Sequence, residues 1–79
     1  MAREIIVYTT PLCAPCESLK RILSTEGIPF IVKDLMVDEA AASLVERHGI
    51  RTVPALGIDG RIYAGDDLRP DRLVALLDF

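Results

Sequence analysis

Apolar positions along this 79-residue chain follow two patterns: short continuous runs, and longer stretches in which they recur every three or four residues. The short runs predict strands and the longer stretches predict amphipathic helices. Strands are expected at 4–9, 30–35, 53–58 and 61–64, and helices at about 17–26, 39–48 and 68–77. The predicted order of elements is therefore βαβαββα.

Turn and cap residues mark the boundaries of these elements. Gly27 and Gly49 suit the left-handed position that follows a helix, and Asp38 suits an N-cap. Asp59-Gly60, between two apolar runs, is typical of a tight hairpin. The first βαβ unit must be parallel and the hairpin antiparallel, with the apolar first strand in the centre. We predict an α/β fold, a four-stranded mixed sheet with helices on both faces.

Length and charge limit the possible functions. Seventy-nine residues make one small domain, 1–79, and the 51% hydrophobic content can supply its core. A formal net charge of −3 argues against nucleic acid and against an acidic membrane surface. No stretch approaches the roughly 20 apolar residues of a membrane span, and the first strand is too short for a signal peptide. We expect a cytoplasmic monomer.

The chain's two cysteines, Cys13 and Cys16, lie where the first strand gives way to the first helix. A helix N-terminus carries unpaired amide donors and a partial positive charge, which favour a thiolate. Cys13 is therefore expected to be an exposed nucleophile with its pKa lowered from about 8.5. Cys16, one turn deeper, is expected to be shielded and to act as the resolving thiol.

Other roles for the pair remain open on the residues alone. A structural disulfide is disfavoured, because so short a loop yields only about 2 kcal/mol by the chain-entropy formula. Zinc normally needs four ligands, and the only histidine, His48, is far along the chain and fits the end of a helix. We expect no metal site within one chain, although two chains could share a metal or cluster.

Three motifs together resemble the thioredoxin fold and, within it, the glutaredoxin family: Cys13-Ala14-Pro15-Cys16, Thr52-Val53-Pro54 and Gly65-Asp66-Asp67. The resemblance implies that the Val53–Pro54 bond is cis and faces the cysteines. The Val53 backbone would then pair with an extended substrate, and Thr52 and Pro54 would also belong to the substrate-binding residues. It also implies that Gly65 and Asp66 contact a ligand, although Asp66 and Asp67 could instead cap the last helix.

Several positions depart from the common glutaredoxin pattern. Thr10 replaces a lysine and Ala64 replaces the first glycine of a Gly-Gly pair, and both changes weaken a glutathione site. The segment from Tyr8 to Cys13 is similar to Tyr-Thr-x-Pro-x-Cys of the glutaredoxin-like redoxins that donate electrons to ribonucleotide reductase. The resemblance implies recharging by thioredoxin reductase. Leu12 and its neighbours would form an apolar rim for protein substrates.

The expected function is that of a dithiol–disulfide oxidoreductase that reduces protein disulfides and needs no bound cofactor. The resemblance leaves two alternatives. One is an ordinary glutaredoxin that glutathione recharges. The other is an iron–sulfur cluster carrier, a dimer bridged through Cys13 and glutathione.

Overall fold

The computed structural model of the chain describes residues 3–78. Residues 1, 2 and 79 of the predicted domain lie outside this range. The elements are β1 (Ile5–Thr9), α1 (Ala14–Thr25), β2 (Ile31–Asp34), α2 (Glu39–Arg47), β3 (Ala55–Ile58), β4 (Arg61–Ala64), a 3₁₀ helix (Gly65–Leu68) and α3 (Pro70–Leu77). Their order confirms the predicted βαβαββα arrangement.

The four strands form one mixed sheet in the order β2-β1-β3-β4. β1 pairs with β2 in parallel and with β3 antiparallel, and β3 and β4 form the antiparallel hairpin. All five residues of β1 are buried, which confirms the prediction that the first strand is central. β2 is an edge strand, and its Ile31 and Val32 remain 54% and 44% exposed.

Two hydrophobic clusters lie on opposite faces of the sheet. On one face, α1 and α3 cover alternate residues of β1 and β3; the buried set is Ile5, Val7, Leu19, Leu23, Leu56, Ile58, Leu73 and Leu77. On the other face α2 covers the remaining ones; the buried set is Ile6, Tyr8, Ala41, Val45 and Ala55. Helices therefore lie on both faces, as predicted.

The predicted caps are present. Asp38 is the N-cap of α2, and its carboxylate accepts a hydrogen bond from the Ala41 N–H at 2.9 Å. Gly27 and Gly49 follow α1 and α2 with φ of 70° and 74°. α1 and α2 thus end within one residue of their predicted ends.

Some predicted boundaries were wrong. β3 begins at Ala55 and not at residue 53, so Pro54 precedes the strand that it was expected to open. α1 begins at Ala14, about three residues earlier than the periodicity indicated. α3 begins at Pro70 and not at Leu68, because Leu68 is the last residue of a separate 3₁₀ helix, Gly65–Leu68. Within residues 3–78, no helix has both the length and the apolar character needed to span a membrane.

Candidate redox site

β1 and α1 bring the two cysteines together at one end of the sheet. β1 ends at Thr9, a turn at Pro11 and Leu12 follows, and Cys13 is the N-cap of α1. Cys13 and Cys16 form a disulfide across the first turn of this helix, with their Cα atoms 5.2 Å apart. The structure is therefore that of the oxidised protein.

The two sulfur atoms occupy different environments. Cys16 is fully buried. Cys13 is half-buried, which corrects the expectation of a freely exposed thiol. The Cys16 N–H donates a hydrogen bond to the Cys13 Sγ at 3.1 Å. Since this amide is one of the unpaired donors at a helix N-terminus, negative charge on Cys13 would be stabilised there.

The turn before Cys13 has an unusual conformation. Leu12 adopts a φ of 58°, in the left-handed region that few residues other than glycine, asparagine and aspartate occupy. Its side chain is fully exposed, at 106% of the reference area. This conformation was not foreseen, because nothing in the local pattern distinguishes it from an ordinary proline turn.

A cleft with a volume of about 650 Å³ opens beside the redox motif. Ala14 and Pro15 of the motif meet Thr52, Val53 and Pro54 along it, and the Val53–Pro54 peptide bond is cis, as expected. Gly65 also lines the cleft, with a φ of 63°. The structure thus brings four of the predicted substrate-binding residues together. The other three, Thr10, Leu12 and Asp66, are not among the lining residues.

The far half of the cleft was not predicted as part of a site. It runs between α1 and the segment that leads into α3, and its lining is Ser18, Leu19, Ile22, Leu68, Arg69, Pro70 and Leu73. Ile22 and Leu68 are only partly buried, and both pack against the buried cluster on this face of the sheet. The sequence carries no signal for this exposure, because an apolar residue looks the same whether or not another element covers it.

Of the described residues 3–78, Arg69 is the one charged residue that lines the cleft. Its guanidinium lies 3.2 Å from the Asp71 carboxylate. The hydrogen bond from Arg69 lowers the pKa of Asp71, and the same bond raises the pKa of Arg69. The positive charge is therefore already paired, and the rest of the cleft wall is uncharged.

Asp66 and Asp67 do not cap α3, so that expectation was wrong. Both lie exposed in the 3₁₀ helix, and Arg69 occupies the N-cap of α3 without a side-chain capping bond. His48 lies at the end of α2 with its Nδ1 2.9 Å from the Leu44 carbonyl oxygen, which fits its assignment to a helix end. Among residues 3–78 no group of three or more His, Cys, Asp or Glu side chains is placed to hold a metal ion.

Comparisons with known proteins agree with this geometry. A family model described as Glutaredoxin matches residues 5–63. The chain is similar to Glutaredoxin 3 of Escherichia coli strain K12, with 36% identity over 69 residues that cover 82% of this chain and 81% of that protein.

Two solved structures are also similar. One is a crystal structure of a thioredoxin-like protein, with a TM-score of 0.79, 31% identity, and coverage of 92% of this chain and 99% of that one. The other is the glutaredoxin-like protein NrdH-redoxin from Escherichia coli, with a TM-score of 0.81, 26% identity, and coverage of 92% and 93%.

Proposed function

As a member of the glutaredoxin family, the chain is a thiol–disulfide oxidoreductase, and we propose that it reduces disulfides in proteins and is recharged by a thioredoxin reductase. One observation carries this proposal. The redox motif adjoins an apolar cleft of about 650 Å³ whose single charged residue is already paired. Such a surface suits a protein better than an anionic tripeptide.

In the first step the reduced Cys13, as a thiolate, attacks one sulfur of the substrate disulfide. A bond forms between Cys13 and that sulfur, the substrate S–S bond breaks, and the other substrate sulfur leaves as a thiolate that takes a proton. Cys13 is the attacking residue in this proposal because its Sγ accepts the Cys16 N–H at the start of α1. That hydrogen bond favours the charged nucleophile.

In the second step Cys16 resolves the mixed disulfide. Its thiol loses a proton, its sulfur attacks the Cys13 Sγ, and the second substrate thiol is released. Two electrons and two protons have then passed to the substrate, and the protein holds the Cys13–Cys16 bond seen in the structure. The burial of Cys16 suits this role. A substrate disulfide cannot reach the Cys16 sulfur directly, whereas the Cys13 sulfur lies within one helical turn of it.

The cleft would hold the substrate segment next to the sulfur. Val53 lines the cleft together with Ala14 and Pro15, and its backbone could pair there with an extended chain in the manner of an added strand. Thr52, Pro54 and Gly65 would contact the same segment. Apolar side chains from a partner protein would fill the far half, between α1 and α3.

The charges around the motif support a protein as the electron donor. Glutathione carries two carboxylates, which need cations or hydrogen-bond donors. Arg69 is engaged with Asp71, and Thr10 is uncharged. Asp66 follows Gly65 directly and adds negative charge beside the cleft.

One of the similar solved structures supports the same proposal. NrdH-redoxin is described with its structure as a glutaredoxin-like protein with a thioredoxin-like activity profile, and its fold matches almost the whole chain. The segment from Tyr8 to Cys13 resembles that of the redoxins that donate electrons to ribonucleotide reductase. Oxidised ribonucleotide reductase would therefore be one protein substrate.

A parallel recharge assay tests the proposal. The oxidised protein is offered either thioredoxin reductase with its pyridine nucleotide, or glutathione with glutathione reductase, and nucleotide oxidation is followed with insulin as the disulfide. We expect turnover with thioredoxin reductase and little with glutathione. Efficient turnover with glutathione and none with thioredoxin reductase would overturn the proposal.

The second candidate is an ordinary glutathione-dependent glutaredoxin. The 36% identity to Glutaredoxin 3 favours it, and glutaredoxins as a family act on disulfides with glutathione or a reductase. Both candidates use the same chemistry at Cys13 and Cys16. The recharge assay therefore separates them by the electron donor alone.

A further inference from the structure

Leu12 is exceptional in two independent respects. It has a φ of 58°, and at 106% it is the most exposed of the large hydrophobic residues among residues 3–78. The other exposed large hydrophobic residues in this range do not exceed 78%, the value for Val37. Leu12 also immediately precedes Cys13, which is half-buried.

The fold would be served better by another residue at this position. The left-handed conformation brings a Cβ atom too close to the following carbonyl oxygen, so glycine or a short polar residue normally occupies it. Elsewhere in residues 3–78 the chain follows this rule: the remaining positive φ values belong to Gly27, Gly49, Gly60, Gly65, Asp59 and Asp78. Leu12 is the one large apolar residue in this set.

Within the part of the chain that the structure describes, the side chain of Leu12 also has no packing role. It belongs to neither hydrophobic cluster and does not line the cleft. Residues held in unfavourable backbone conformations cluster at functional sites. In the chain Leu12 directly precedes Cys13.

We propose that Leu12 is a specificity-determining contact residue, whose side chain enters an apolar recess beside the disulfide of a folded protein partner. This inference rests on the proposed function. Leu12 precedes Cys13 and the cleft residues Ala14 and Pro15 follow it, so apolar surface flanks the reactive sulfur along the chain on both sides.

The nature of the contact defines the class of partner. A cleft can accept an extended peptide, but a protruding side chain needs a concave surface to receive it. A folded protein offers such a surface, whereas glutathione or another small disulfide does not. Leu12 would therefore raise the rate with protein disulfides relative to small disulfides.

Single-turnover kinetics test this without any recharging enzyme. The protein is reduced chemically, freed of reductant, and mixed with insulin or with hydroxyethyl disulfide, and both second-order rates are measured. We expect Leu12→Gly to lower the ratio of the insulin rate to the small-disulfide rate by about fivefold or more, as for an interface contact. Leu12→Met, which keeps an apolar side chain of similar size, should retain the ratio.

Asp78→Gly is the matched control, because Asp78 has a φ of 59° and is exposed, but lies at the end of α3. It should leave the ratio unchanged. Urea unfolding of Leu12→Gly should show a midpoint equal to or above that of the wild type, since glycine accepts this φ.

Two results would overturn the role of Leu12. An unchanged ratio in Leu12→Gly means that the exposed side chain is idle. An equal fall of both rates means that Leu12 acts on the reactivity of Cys13 and not on partner choice. A wild-type protein that reduces hydroxyethyl disulfide but not insulin would contradict the proposed function itself, together with the contact that rests on it.

Discussion

Two turns that lie beside opposite ends of β1 both require positive φ values but contain different types of residue. At one end Asp59 and Gly60 connect β3 to β4 with φ values of 49° and 91°. At the other end Pro11 and Leu12 connect β1 to α1, with a φ of 58° at Leu12. Both turns therefore place residues in the left-handed region.

The hairpin turn is built for the fold. Its aspartate and glycine suit positive φ, and the Asp59 carboxylate also accepts a hydrogen bond from the Glu4 N–H at 2.9 Å. The turn at Pro11 and Leu12, called the redox turn below, instead places an exposed leucine in a conformation that leucine disfavours. This leucine directly precedes Cys13. The aspartate and glycine thus serve the fold, whereas under the proposal above Leu12 is kept at its turn because it contacts the partner protein.

The largest effect should come from the cysteines that the redox turn presents. Cys13→Ser should abolish disulfide reduction, because no other sulfur is placed to attack. Cys16→Ser should stop the reaction after the first step and leave substrate covalently bound to Cys13. Insulin turnover measures the first result, and intact mass under non-reducing conditions measures the second.

Cys16→Ala serves as the control, since it also removes the resolving thiol but buries no hydroxyl group in place of the sulfur. It should trap the same adduct. Residual turnover by Cys13→Ser would show that the roles of the two cysteines have been assigned wrongly.

Replacing Gly60 or Gly65 with alanine should have a smaller effect, which differs between stability and activity. Gly60 and Gly65 both have positive φ, and a Cβ atom at either position would meet no other atom within 4 Å. Alanine should therefore cost each variant about 1–2 kcal/mol through the backbone alone. Urea unfolding measures this loss.

Activity should separate the two glycine variants. Gly65 lines the cleft and Gly60 lies in the hairpin turn, so only Gly65→Ala should slow the reduction of insulin. An equal loss of activity in both would mean that the slower rate follows from lower stability and not from the cleft. Arg61→Ala, an exposed change beside Gly60, should alter stability by less than about 0.5 kcal/mol.

The parts of the fold that were predicted correctly depend on local signals. Asp38 and Gly49 bound α2 because a cap is satisfied within a few residues of itself. The hairpin at Asp59-Gly60 follows from the same kind of local chemistry. The place of the two cysteines at a helix N-terminus likewise required only the strand, the turn and the helix around them.

The parts that were not predicted depend on distant contacts. The cleft forms between α1 and the segment around Leu68, which lie far apart in the sequence. An apolar run also looks the same whether or not a helix covers it, so the exposure of Ile31 and Val32 on the edge strand could not be foreseen. The left-handed conformation of Leu12 was missed because its residue type predicts the opposite.

The smallest effect is expected from restoring a charge near the redox turn. Thr10→Lys should raise the glutathione-dependent rate by a few-fold, because a cation at this place attracts the carboxylates of glutathione. Ser43→Lys adds the same charge on α2, which covers the other face of the sheet, and should have no effect. A similar rise of the glutathione-dependent rate in both variants would mean that the net charge of the protein, and not the position of the lysine, causes the effect.

The central claim is that the redox turn presents one nucleophile, Cys13, and keeps Cys16 shielded. Partial alkylation of the reduced wild-type protein with iodoacetamide at mildly acidic pH, followed by peptide mapping, tests it most directly. We predict that Cys13 is labelled well before Cys16, since Cys16 is fully buried and only Cys13 receives the helix amide. Equal labelling of the two cysteines, or earlier labelling of Cys16, would contradict the claim.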